Sequence, residues 1–145
     1  MHTYTYRAVL EPGADDGVIV VSFPDVPEAI TQGEGEADAL QQAENALATA
    51  LLSYPLRRLP LPKAKARGGA RVTVPAEVAA KLAVLEAFAE SGISKSELAR
   101  RLSVRETEAR RILDPMHPTK LPRLEQALAL LGKRLVVGVE EVAAA

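Results

Sequence analysis

A chain of 145 residues, 48% hydrophobic and 26% charged, has the composition of one ordinary folded domain or two very small ones. It contains no cysteine, which excludes a disulfide framework, a thiolate zinc site and a cysteine nucleophile together. Its net charge of -1 averages two unlike parts: residues 1–53 hold one basic residue against nine acids, and residues 54–145 hold seventeen against ten.

Such a split predicts different partners for the two ends, because phosphate backbone repels an acidic module and attracts a basic one. No apolar run approaches the ~20 residues that span a bilayer. The opening residues have neither the basic start nor the apolar core of a signal peptide, so a cytoplasmic protein is expected.

In chain order, Thr3–Leu10 and Val18–Phe23 read as two strands of a hairpin. They are joined by the turn-forming stretch Glu11–Gly17. Pro24 ends the second strand, since it has no amide for a ladder. Ala29–Gln32 reads as a third strand, closed by Gly33. From Asp38 to Ser53, Ala39, Leu40, Ala43, Ala46, Leu47, Ala50 and Leu51 repeat at the spacing of one helical face. The expected fold of this half is α+β, a small antiparallel sheet with one packed helix. Pro55, Pro60 and Pro62 then mark an extended crossing, followed by a flexible link through Gly68 and Gly69. Arg71–Val74 is either a last edge strand or an arm pairing with a second copy. The expected organisation is an α+β domain over 1–62, a linker over 63–74 and an all-α domain over 75–145.

Pro75 suits the first position of a helix. Val78, Leu82, Leu85 and Ala89 mark its buried face up to Ser91-Gly92. Helices are expected over Lys95–Leu102, Arg105–Leu113 and about Pro122–Leu131, the last capped by Gly132. Leu135–Val139 is a short apolar run with strand propensity. Ser94 and Glu97 form a capping-box pattern. Ala99, Ser103, Val104, Ala109 and Ile112 have the spacing of a helix-turn-helix, with Val104 turned to the core. Position 103 is commonly glycine in that motif, so Ser103 departs from it. Residues 91–134 hold ten basic against five acidic residues, as phosphate binding requires.

On this geometry Arg105, Thr107 and Arg110 face base edges, arginine being the commonest reader of guanine. Arg111, Lys120 and Arg123 suit phosphates, which give affinity without sequence information. Ser94 and Lys95, at the start of the preceding helix, complete the expected DNA-binding set.

The whole chain resembles the HicB antitoxins. The resemblance is carried by Val21-Ser-Phe-Pro-Asp-Val-Pro-Glu28, Ile30-Thr-Gln-Gly-Glu34 and the alanine-rich helix with Ala43-Glu-Asn-Ala-Leu47. Leu59-Pro-Leu-Pro62, Val72-Thr-Val-Pro75 and Ala80-Lys-Leu82 extend it. Gly92–Leu102, Arg111–Pro115 and Leu131–Leu135 are similar to the subgroup with a C-terminal helix-turn-helix. The resemblance implies a partial ribonuclease-H-like N-terminal fold that binds a small basic HicA-type ribonuclease toxin and covers its catalytic histidine. It also implies a C-terminal domain that binds the operon's own promoter as a dimer or tetramer. Where that family often has Asp-Thr before the helix, this chain has Glu34-Gly35, losing a side-chain cap.

Asp25, Glu28, Glu34 and Glu36 are the candidate toxin-binding acids, with Phe23 and Tyr54 as anchors, although Phe23 equally suits the core. A nuclease site would need carboxylates projecting from strands to hold magnesium, and Val18–Phe23 offers none. His2 and His117 have no plausible catalytic partner. No enzyme activity, metal or cofactor is therefore expected. The competing reading is a stand-alone dimeric regulator whose N-terminal domain dimerises or senses a ligand. A further one, a scaffold without DNA binding, leaves the helix-turn-helix spacing unexplained.

Overall fold

Alternation along the first strand sets one face of a sheet against a helix: Tyr4, Tyr6 and Ala8 are buried, while Thr5 and Arg7 point outward. The computed structural model describes residues 1–142. Strands β1 (Thr5–Pro12), β2 (Val18–Ser22), β3 (Ile30–Glu34) and β4 (Ala70–Thr73) form an antiparallel sheet in the order β3-β2-β1-β4. Helix α1 (Gly35–Leu56) packs on its inner face. Its buried residues Ala39, Ala43, Leu47, Ala50 and Leu51 recur at helical spacing, and the small ones let the helix axis approach the strands.

The antiparallel α+β architecture expected from the sequence is present. Three local expectations are corrected. Strand β3 does not stop before Gly33 but runs through it to Glu34, because a buried residue without a side chain lets α1 lie close above. Helix α1 does not end at Ser53. It passes through Pro55, which forfeits a single amide bond in the last turn, and ends at Leu56. Residues 70–73 pair with β1 in register Tyr6↔Val72, as an edge strand of the same chain.

The crossing segment is tied down as well. The Asp25 Oδ2 carboxylate oxygen accepts the amides of Lys65 and Ala66 at 2.8 and 2.7 Å, and the Tyr6 hydroxyl donates to the Pro62 carbonyl. The chain divides into two compact units, Met1–Ala79 and a second beginning at Ala80, so the division falls inside α2 (Ala76–Ser91). Pro75 stands one place before the expected first helical position, where its carbonyl accepts the amide of Ala79.

The second unit is helical: the rest of α2, then α3 (Lys95–Leu102), α4 (Glu106–Ile112) and α5 (Leu121–Leu130). Its core gathers Val84 and Leu85 of α2, Leu98 of α3, Ile112 of α4, and Leu124, Ala127 and Leu128 of α5. Ala89, expected on the buried face of α2, is exposed, and Val104 is only half-buried. Gly132, at φ 79°, ends α5 with the paired bonds of a Schellman turn, from its own amide to Ala129 and from Lys133 to Leu128. Leu135–Val139 forms no strand, since no neighbouring strand of this chain offers it a ladder; among the described residues it lies outside any helix, strand or turn.

Candidate partner and DNA surfaces

The five residues expected to meet a toxin do not form one surface. Phe23 is 2% exposed and belongs to the core, which corrects its reading as an anchor. Asp25 and Glu28 follow β2, at the end of the sheet near the C-terminus of α1. There Asp25 is engaged by the amides of 65 and 66. Glu28 accepts a 2.6 Å bond from the Tyr54 hydroxyl and lies 3.8 Å from Arg57, whose guanidinium covers the Tyr54 ring. The tyrosine hydrogen bond, aided by Arg57, holds the Glu28 carboxyl below its ordinary range.

Glu34 and Glu36 lie at the opposite end. The register Val18↔Glu34 and the Gly35 amide on the Gly17 carbonyl (2.8 Å) bring the β1–β2 loop beside the start of α1. Glu11, Asp15, Asp16, Glu34, Glu36 and Asp38 therefore share one end of the sheet, around a shallow depression floored by Leu10, Pro12, Val18 and Ile19. Glu11, Asp15 and Asp16 were missed by sequence reasoning. Their signal was the hairpin itself, which must return its loop to the place where β3 ends.

Glu34 caps α1 with backbone alone, as expected from Glu34-Gly35. The Asp38 carboxylate compensates in part by accepting the Glu34 amide at 2.8 Å. Among the described residues no group of three or more His, Asp or Glu gathers as metal ligands would.

In the second unit, residues 103–105 join α3 and α4. The Ser94 hydroxyl caps α3 by accepting the Glu97 amide at 3.1 Å; the Glu97 carboxylate turns instead to Arg100 and Arg101. Those two arginines hold the carboxyl down to about 2. Ser103 adopts the left-handed conformation, φ 56° and ψ 41°, and closes α3 through the bonds Ser103 N–H to Arg100 and Val104 N–H to Ala99. The turn that glycine usually makes is thus made by serine, against a steric preference.

Arg105 is the N-cap of α4, and Thr107, Arg110 and Arg111 are exposed along it, opposite the buried Ala109 and Ile112. Arg110 rests on Glu106 at 3.3 Å and Arg111 on Glu108 at 3.7 Å. Exposed pairs of this kind are weak, so either guanidinium can be redirected to a ligand at little expense. Lys120 caps α5, and Arg123 in its first turn donates to Gln126. Ser94 and Lys95 begin α3, whose N-terminal end is joined to that of α4 by the Ser96 hydroxyl on Glu106.

One residue that sequence reasoning passed over sets the far end of α4. Lys81 is 4% exposed, and its Nζ donates to the carbonyls of Ile112 (2.8 Å) and Arg111 (3.3 Å) and to Thr119 Oγ1 (2.6 Å). An ammonium has three donors, and here each has an acceptor. Two of these acceptors are last-turn carbonyls of α4, where a positive charge opposes the negative end of the helix dipole. Burial pushes the Lys81 pKa down to about 8, against the pull of Asp114. The available signal was a lysine three places after Val78 on an otherwise apolar helix face.

The charge contrast narrows once the real units are known: seven basic against ten acidic residues in Met1–Ala79, and eleven against nine beyond it. Acidity is concentrated by position, at one end of the sheet, more than by unit. No helix among the described residues is long and apolar enough to cross a membrane.

A sheet-and-helix unit with an acidic end, followed by a unit whose short helices expose arginine, is the layout of a small two-part binding protein. Residues 5–83 match the family described as the HicB-like antitoxin of bacterial toxin-antitoxin systems. The chain is 39% identical over 137 residues to antitoxin HicB 1 of Photorhabdus laumondii, covering 93% of this chain and 86% of that protein. It is 39% identical over 132 residues to antitoxin HicB of Escherichia coli K12, covering 90% and 95%. Antitoxin HicB of Pseudomonas fluorescens is 35% identical over 138 residues, covering 93% and 94%. The chain belongs to the HicB-like antitoxin family, and its role is that of an antitoxin in a toxin-antitoxin system.

Proposed function

We propose that this chain acts in the cytoplasm by binding and silencing a small basic HicA-type mRNA-cleaving toxin, without catalysis of its own. Through α3 and α4 it also binds its operon's promoter as a dimer. Family membership over nearly the full length is the observation that carries this reading. The acidic end of the sheet suits a cationic partner, since complementary charge speeds encounter and excludes wrong partners. The outward Thr107 and Arg110 of α4 suit base edges, with Ser94, Lys95, Arg105, Arg111, Lys120 and Arg123 around them.

Two measurements test it. Stopped-flow association with a HicA-type toxin at low salt should slow about tenfold in the Glu34→Lys, Glu36→Lys double variant and recover toward wild type at high salt. An unchanged rate at low salt removes the acidic end from the docking surface, and no complex at all leaves the stand-alone regulator. On promoter DNA, Arg110→Ala should weaken binding by about 1–3 kcal/mol and relax the base preference. Lys120→Ala should weaken all sequences alike and reduce the salt slope by about one. A loss of preference caused by Lys120→Ala rather than Arg110→Ala would reverse these roles.

A further inference from the structure

Beyond the turn at Gly132 the chain carries a concentrated apolar exposure. Val136, Val137, Val139 and Val142 are 54, 70, 97 and 84% exposed, all within seven residues that join no helix or strand. β-branched residues of this kind favour a pleated, half-buried setting. Only Leu135 of the run already rests on the core of the second unit.

The charges that flank the run say what covers it. Lys133 and Arg134 precede Leu135-Val-Val-Gly-Val139, and Glu140 and Glu141 follow. Laid antiparallel against an identical segment with Val137 opposite Val137, Lys133 meets Glu141, Arg134 meets Glu140, Leu135 meets Val139 and Val136 meets Gly138. Opposite residues in such a pair share a face and approach to about 4.5–5.5 Å between Cβ atoms. All four flanking charges of each copy are then matched. A parallel pairing sets like against like, and a shift of the centre to Val136 or Gly138 strands the charges beside neutral residues.

Period-two alternation places Leu135, Val137 and Val139 of both copies on one face. Since Leu135 lies on its own core, that face continues the core of each second unit. This matters because an isolated two-stranded ribbon is marginal in water. The pair Lys133–Glu90 (3.6 Å), more than half exposed on both sides, is weak enough to be exchanged.

We propose that residues 133–141 are the dimerisation strand of this protein, forming with a second copy an antiparallel ribbon whose two-fold axis passes through Val137. This deepens the proposed function, since it rests on the chain binding DNA as a dimer.

The absence of cysteine makes the register directly testable in the full chain. Val137→Cys gives each chain one thiol, and mild oxidation should convert nearly all of it to covalent dimer. Met116→Cys, at a residue 67% exposed in the same unit, should give little. The double variants Lys133→Glu, Arg134→Glu and Glu140→Lys, Glu141→Lys should each dimerise at least tenfold more weakly at low salt. Mixed in equal amounts they should pair with each other and recover a dimer. A wild-type chain that sediments as a dimer, with no crosslink at 137 and no recovery on mixing, overturns the ribbon and leaves dimeric DNA binding intact. A wild-type chain that stays monomeric at tens of micromolar overturns both.

Discussion

Gly33→Ala is expected to destabilise the first unit by about 3 kcal/mol, at the upper end of what overpacking costs. A Cβ on Gly33 would lie 2.5 Å from the Ala39 amide nitrogen, 2.6 Å from its Cα and 2.8 Å from the Asp38 carbonyl carbon. These are backbone atoms of a helix and cannot swing aside as a flexible side chain would. Either α1 lifts from the sheet, opening the contacts of Ala43 and Leu47, or β3 leaves its register with β2. The gain from a stiffer unfolded chain, about 0.4–1 kcal/mol, is too small to offset this. Gly35→Ala is the matching control. Its Cβ meets nothing within 4 Å, so only the φ of 77° is penalised, at about 1 kcal/mol. Tyr4, Tyr6 and Tyr54 all lie in the first unit, so denaturant unfolding followed by tyrosine near-ultraviolet circular dichroism reads this unit alone. Equal losses in the two variants would mean that α1 does not sit against β3 as closely as the structure has it. The same clash moves Glu34 and Glu36 apart, so toxin association should weaken in Gly33→Ala and hold in Gly35→Ala.

What was legible in the sequence follows from how local each determinant is. Strand alternation at Tyr4, Tyr6 and Ala8, the helical repeat from Ala39 to Leu51, and the caps at Ser94 and Gly132 involve neighbours a few residues apart, and all were readable. The helix-turn-helix was legible for the same reason, down to the outward face of α4. Gly33 was misread as a strand terminator because glycine signals both a break and a close approach, and only the helix above it decides between them. Asp25 and Phe23 illustrate the opposite limit. Their partners lie far along the chain, at Lys65 and Ala66 for the carboxylate and in the core for the ring. The acidic end of the sheet needed the hairpin register to bring Asp15 and Asp16 beside Glu34.

Lys81 is the most non-local of these determinants, and its replacement should have the largest effect on the second unit. Lys81→Glu sets a carboxylate against the carbonyls of Arg111 and Ile112, with no donor but the Thr119 hydroxyl. An uncompensated buried charge costs about 3–5 kcal/mol, comparable with the whole stability of a unit this small. The variant should therefore lose helical ellipticity and promoter binding while the tyrosine signals of the first unit persist. Retained promoter binding would show that α4 does not depend on this anchor. The wild-type lysine carries its own pH signature. Its folded pKa of about 8 lies below the ordinary 10.5, so between these values the unfolded chain holds more of this proton than the folded one. Unfolding free energy therefore rises with pH across that window, by up to about 1.4 kcal/mol per pH unit, and this contribution is flat below it. Subtracting the profile of Lys81→Met isolates the effect from other groups. A difference that stays flat from pH 8 to 10.5 would mean that the ammonium is as well solvated as in the unfolded chain. In the protonated form that prevails at pH 7, all three N–H groups are engaged, and two of them hold the last turn of the helix whose first turns present Thr107 and Arg110. The anchor lies on the buried side of α4 and the ligand face on the other, so Lys81 acts on DNA recognition only by position.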